Sequence, residues 1–91
     1  MEKLCVHPMV VTTFFPESAV LLDLRKNVYY ALNDSAADFW KYLTELGSFE
    51  EALKEVTNLY QEDADLVRKD MEELVSSLLK TGILQSEPST R

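Results

Sequence analysis

Cys5 and His7 are the side chains best equipped for nucleophilic or metal chemistry, and they stand two residues apart. A thiol beside an imidazole can make an activated nucleophile, and both groups are good zinc ligands. The sequence has one cysteine and one histidine, so no further thiolate or imidazole exists to complete a zinc set. A dyad of Cys5 and His7 on a strand would also lie near a frayed terminus. Paired carboxylates occur at Glu50/Glu51, Asp63/Asp65 and Glu72/Glu73. Each pair falls at an expected helix start or on an exposed helix face, where acids complement the helix dipole or keep the surface wet. Ser76 and Ser77 have no partner base. The two glycines, Gly47 and Gly82, stand where helices should end, so there is no glycine-rich phosphate loop. These residues predict no catalytic group, no metal ligand set and no cofactor. The expected protein is a binding module, not an enzyme.

Composition narrows what such a module would bind. The chain has 91 residues, 46% of them hydrophobic, enough for the core of one small domain. The formal net charge of −7 opposes contact with a phosphate backbone. No apolar run approaches the roughly 18 residues a membrane span needs. The start "MEKLCVHPMVV" is too polar, and too broken by Pro8, for a signal peptide. A single cysteine precludes an internal disulfide framework and suits a reducing cytoplasm. A domain this small is marginally stable alone and gains stability from a partner.

The elements that must position a binding surface follow from pattern. "MVVTTF", residues 9–14, is β-branched and aromatic and predicts a first strand ended by Pro16. "AVLLDL", 19–24, and "VYYAL", 28–32, predict a hairpin across the loop "RKN". Asn27 is suited to the left-handed position such a loop requires. That loop pairs Leu24 with Val28, Leu22 with Tyr30 and Val20 with Leu32, and puts those six on the core face. Tyr29 and Ala31 then share the outer face with Leu21 and Asp23. A first helix is predicted from about Ser35 to Leu46, with Asn33, Asp34 and Ser35 as capping residues and Ala36, Phe39, Trp40 and Leu43 on one face. Ser48-x-x-Glu51 is a capping box opening a second helix with Phe49, Ala52, Leu53, Val56 and Tyr60 inward. Asp63 caps a third, reaching about Thr81, whose apolar stripe of Val67, Met71, Leu74, Val75, Leu78 and Leu79 is wider than docking on one core requires. Residues after Gly82 suggest a short extended piece, and 86–91, "SEPSTR", a disordered tail.

The predicted fold is α+β and winged-helix-like: a small antiparallel sheet of about three strands followed by three helices. One reading of that order is a DNA-binding or regulatory winged helix. The third helix argues against it, because Asp63, Asp65, Asp70, Glu72 and Glu73 outnumber Arg68, Lys69 and Lys80. A second reading is an adaptor joining two enzymes. A third is peptide addition to a sheet edge, where main-chain groups supply affinity and alternating pockets supply specificity.

The stretch "VLLDLRKNVYYALNDSAADFWKYL", with "SFEEAL" and "LLKTGIL" further on, resembles the PqqD-like family of peptide-recognition elements in ribosomal peptide modification systems. The likeness runs over about residues 9–85, with a recognition domain expected at 1–85. Asn27 stands where the family commonly has Gly, and Ala64 where Pro often opens the third helix. The resemblance implies a non-catalytic protein that binds the leader of a precursor peptide as an added strand along residues 28–32, beside helix 63–81. It implies presentation of the attached core peptide to a modifying enzyme. Lasso-type members fit best, with a transglutaminase-like leader peptidase and an ATP-dependent macrolactam synthetase as partners. A peptide chaperone of the quinone-cofactor pathway, serving a radical enzyme, is the alternative within the family. By position, the leader should meet Val28, Tyr29, Tyr30, Ala31 and Leu32 on the strand. On the helix it should meet Val67, Asp70, Met71, Leu74 and Leu78. Tyr30 and Leu32 are expected to hold the core with their side chains while their backbone pairs.

Overall fold

The computed structural model describes residues 3–61 and 63–87. Five strands form two antiparallel sheets, and three helices pack on them. The elements are β1 (Lys3–Val6), β2 (Val10–Phe15), β3 (Ser18–Asp23), β4 (Val28–Asn33), α1 (Asp34–Leu46), α2 (Phe49–Tyr60), α3 (Ala64–Thr81) and β5 (Leu84–Glu87). β2, β3 and β4 make the larger sheet in that order, and β1 pairs with β5. Strand β5 therefore carries the extended piece after Gly82 on to Glu87; residues 88–91 of the expected tail lie outside the described residues.

Side-chain caps open α2 and α3, and glycines close α1 and α3. The Ser48 hydroxyl accepts the Glu51 N–H at 3.3 Å, and the Asp63 carboxylate accepts the N–H groups of Asp65 and Leu66 at 2.9 and 3.3 Å. Gly47 and Gly82 close α1 and α3 in the left-handed conformation, φ 72° and 85°. At the start of α1, Asn33 is the cap position but makes no side-chain cap bond, and the Asp34 N–H instead reaches the Glu17 carbonyl at 3.1 Å.

Phe39, Trp40, Leu43, Phe49, Ala52 and Val56 form the centre of the core, joined by Ala19, Leu21 and Leu32 from the larger sheet and Ile83 and Leu84 from the C-terminal end. Phe39 and Phe49 meet edge to face at 5.6 Å. The Trp40 Nε1–H donates to Thr12 Oγ1 at 3.1 Å, tying α1 to β2 and giving the buried indole its partner.

The hairpin register differs from expectation by one residue on β3. Asp23 pairs with Val28, Leu22 with Tyr29, Leu21 with Tyr30, Val20 with Ala31 and Ala19 with Leu32. The inner face of β3 is thus Ala19, Leu21 and Asp23, not Val20, Leu22 and Leu24. The connection is four residues, 24–27, closed by the Asn27 N–H on the Asp23 carbonyl at 2.7 Å. Asn27 does take the left-handed conformation, φ 60°. The physical reason for the shift is that Asp23 is not a surface acid. It is wholly buried and accepts three hydrogen bonds from Arg25: from the main-chain N–H and Nε on Oδ1, both at 3.0 Å, and from Nη2 on Oδ2 at 2.8 Å.

Candidate peptide-binding edge

β4 is an edge strand. It pairs with β3 on one side and with no strand on the other among the described residues. An edge of this kind carries main-chain donors and acceptors able to take another strand. Its side chains alternate as the pleat requires. Leu32 is buried and Tyr30 half-buried on the inner face. Tyr29, 71% exposed, and Ala31 lie on the outer face beside Leu22 and Val20. Val28 opens the strand, 39% exposed. The sequence reading therefore has the two faces of β4 right, although it paired them with the wrong face of β3.

Helix α3 packs on β5, α2 and α1 rather than on β4. Its buried line is Val67, Met71, Val75 and Leu78, so the side chains of Val67, Met71 and Leu78 belong to the core. One flank is committed to α2. There Arg68 makes a two-pronged contact with Glu50 at 3.0 and 2.8 Å and reaches Glu72 at 3.7 Å. The hydrogen bonds from that guanidinium hold the Glu50 carboxyl below its ordinary range, against the opposing effect of burial. Leu74, half-buried, lies about 120° around the helix from Arg68. Asp70, exposed, is on the same side as Leu74, away from α2. Of the predicted helix residues, these two present side chains on the flank turned from α2.

The hairpin turn and the end of α3 meet at a junction that sequence reasoning missed. The Thr81 carbonyl accepts from Lys26 Nζ at 3.0 Å and from Arg25 Nη2 at 3.3 Å. Cations at a helix C-terminus complement the negative end of its dipole. Gly82 makes room, since a Cβ there would sit 3.2 Å from the Arg25 guanidinium nitrogens. The hydrogen bonds from Arg25 hold the Asp23 carboxyl down at about 2, overcoming the opposing effect of burial. An available signal was the spacing Asp23-x-Arg25, in which an aspartate accepts the N–H two residues on.

Several of the other sequence candidates for chemistry have structural partners. His7 Nδ1 accepts the Met9 N–H at 3.0 Å within the connection from β1 to β2. Asp63 caps α3, and Glu50 is paired with Arg68. Among the described residues no group of three His, Cys, Asp or Glu side chains could hold a metal ion. None of their helices is long and apolar enough to cross a membrane. Two concavities lie away from β4: one of about 540 Å³ at the β2–β3 turn, lined by Phe14, Phe15, Pro16 and Ala37, and one of about 480 Å³ lined by Leu4, Cys5, Leu46 and Leu84. Strand addition needs an open edge with a neighbouring wall, not an enclosed cavity.

Two small antiparallel sheets, the larger with an open edge at β4, and three helices packed on them define a small α+β fold. The model of the family "Coenzyme PQQ synthesis protein D (PqqD)" matches residues 18–84, and the chain belongs to that family. Two solved structures are similar in fold. A lasso peptide synthetase B1 complexed with the leader peptide is 26% identical, with a TM-score of 0.79 over 91% of this chain and 98% of that one. TbiB1 in complex with the TbiA(beta) leader peptide is 23% identical, with a TM-score of 0.82 over 92% of this chain and 98% of that one. The search of curated proteins gave no match.

Proposed function

We propose that this protein binds the leader segment of a ribosomally made precursor peptide without performing chemistry on it. The observation that carries the reading is the open edge of β4 in a fold shared with two leader-peptide complexes. The leader adds as a fourth strand along Val28–Leu32. Tyr29 and Ala31 flank it on the outer face. Leu74 and Asp70 form the helical wall, and Val67, Met71 and Leu78 support that wall from within. Asp70 offers an acceptor to a leader N–H or a counter-charge to a basic leader residue. Main-chain pairing provides affinity that tolerates sequence variation, and the side chains beside the edge select among leaders.

The setting we propose is the cytoplasm, in a lasso-peptide pathway. The bound leader holds the core peptide for a separate leader peptidase, and a macrolactam synthetase then closes the ring. The acidic flank of α3 gives a groove-reading DNA function no support.

The test is titration with a synthetic peptide spanning the leader of the precursor encoded beside this gene. Saturable binding is expected, with amide shifts concentrated in residues 28–32 and along α3. Absence of binding, or shifts confined to the opposite sheet edge at β2, would overturn the proposal.

A further inference from the structure

We infer that Arg25 and Lys26 are positioning residues for the peptide-binding edge: they clasp the β3–β4 turn to the C-terminal end of α3 and thereby set the spacing between β4 and the helix. The inference rests on the leader-binding reading and adds to it a determinant outside the peptide's own contacts.

The junction is built from both sides. On the hairpin side, a buried carboxylate is costly unless it is paired, and Asp23 is fully paired by Arg25. That pairing locks the turn, leaving Arg25 Nη2 and Lys26 Nζ converging on one acceptor, the Thr81 carbonyl. On the helix side, Gly82 in the left-handed conformation lets the guanidinium lie against the cap. Among the described residues these two are the hydrogen bonds joining the 18–33 hairpin to α3. The helix is otherwise held by β5, α2 and α1. Strand and helix both depart from this junction, β4 forward from Val28 and α3 backward from Thr81. A clasp at one end therefore governs how the two walls lie along their length. An edge held at the right distance binds a strand without first ordering itself, which preserves affinity.

Replacing Arg25 with Ala would strand the buried Asp23 and endanger the fold, so the test uses Lys26, whose side chain is exposed. Leader affinity is measured by titration calorimetry for the full chain and for Lys26→Ala, Lys26→Arg and Arg25→Lys, each first shown by circular dichroism to be folded at the assay temperature. Lys26→Ala is expected to weaken binding about three- to tenfold, the usual scale for a coupling residue without ligand contact. Lys26→Arg, which keeps a donor for Thr81, should restore affinity to within about twofold, a rescue that loss of a merely structural side chain does not predict. Arg25→Lys, which keeps a cation but not the fork, should fall between them. Combining Lys26→Ala with Leu74→Ala should give a non-additive loss, because both act through α3. If the parent chain binds the leader and both Lys26→Ala and Arg25→Lys bind equally well, the clasp is refuted and the leader reading stands. Additive losses would refute the route through α3. If the parent chain shows no leader binding, the functional reading itself fails, and this inference with it.

Discussion

Met71 and Leu74 sit three residues apart on α3, yet the structure predicts different consequences for losing them. Met71 is 4% exposed and packs in the core cluster. Truncation to Ala removes three heavy atoms from a filled interior, at about 2–5 kcal/mol. A chain of 91 residues has a total stability of roughly 5–14 kcal/mol at typical values per residue. Met71→Ala therefore removes a large fraction of it, and Met71→Asp, which adds a buried charge, should prevent folding. Leu74 is only half-buried, and its truncation should cost about 1–2 kcal/mol, leaving the chain folded. In leader titrations of folded protein, Leu74→Ala should weaken binding by about 1 kcal/mol, roughly fivefold, through lost apolar contact with the added strand. Urea denaturation gives the stability change and calorimetry the affinity change, each variant serving as the other's control. Met71→Asp remaining folded with weakened binding would place Met71 in the groove instead of the core. Leu74→Ala with unchanged affinity would remove Leu74 from the groove wall. Either result refutes the reasoning for that position.

Further predictions follow from the hairpin and the edge. Tyr29→Ala should leave stability within about 0.5 kcal/mol, since the side chain is 71% exposed, while lowering leader affinity; equal affinity would exclude Tyr29 from the site. Asp23 is held at about 2 against an ordinary 3.8, so its ionised form favours folding. That contribution is complete above about pH 4 and is lost as pH falls through about 2, so wild type should lose stability faster than Asp23→Asn over that window in acid titrations followed by circular dichroism. Parallel acid profiles would contradict the pairing with Arg25. Asn27 at φ 60° predicts that Asn27→Gly is neutral or slightly stabilising and Asn27→Val destabilising by about 1–2 kcal/mol in thermal melts. Trp40→Phe should cost about 1 kcal/mol beyond its packing loss by removing the bond to Thr12, a share that a double-mutant cycle with Thr12→Val isolates.

The sequence by itself determined the features that local chemistry controls. Ser48 and Asp63 start helices because their side chains satisfy free N–H groups one turn on, and Gly47 and Gly82 end them because a left-handed residue is needed there. The 3.6-residue spacing of Phe39, Trp40 and Leu43, and of Phe49, Leu53 and Val56, announced buried faces before any partner was known. The order of these elements, with the motif "LLDLRKNVYYALN", was enough to indicate the family. Tertiary structure alone decided what rests on distant partners. In "AVLLDL" Val20, Leu22 and Leu24 are wholly apolar while Ala19 and Leu21 share their side with Asp23, so the local pattern pointed to the face that turns outward. The decision came from Asp23, buried only because Arg25 neutralises it. The pairing of Lys3–Val6 with Leu84–Glu87 joins the two ends of the domain, beyond the reach of local pattern. The width of the α3 stripe was legible, but its division was not. Val67, Met71 and Leu78 face the core because α3 lies on α2 and β5, while Leu74, half-buried at the core's margin, and exposed Asp70 lie on the flank turned away from Arg68 and Glu50. The same packing leaves β4 at the edge of its sheet, since the N-terminal strand pairs with β5 and β2 takes the far side of β3.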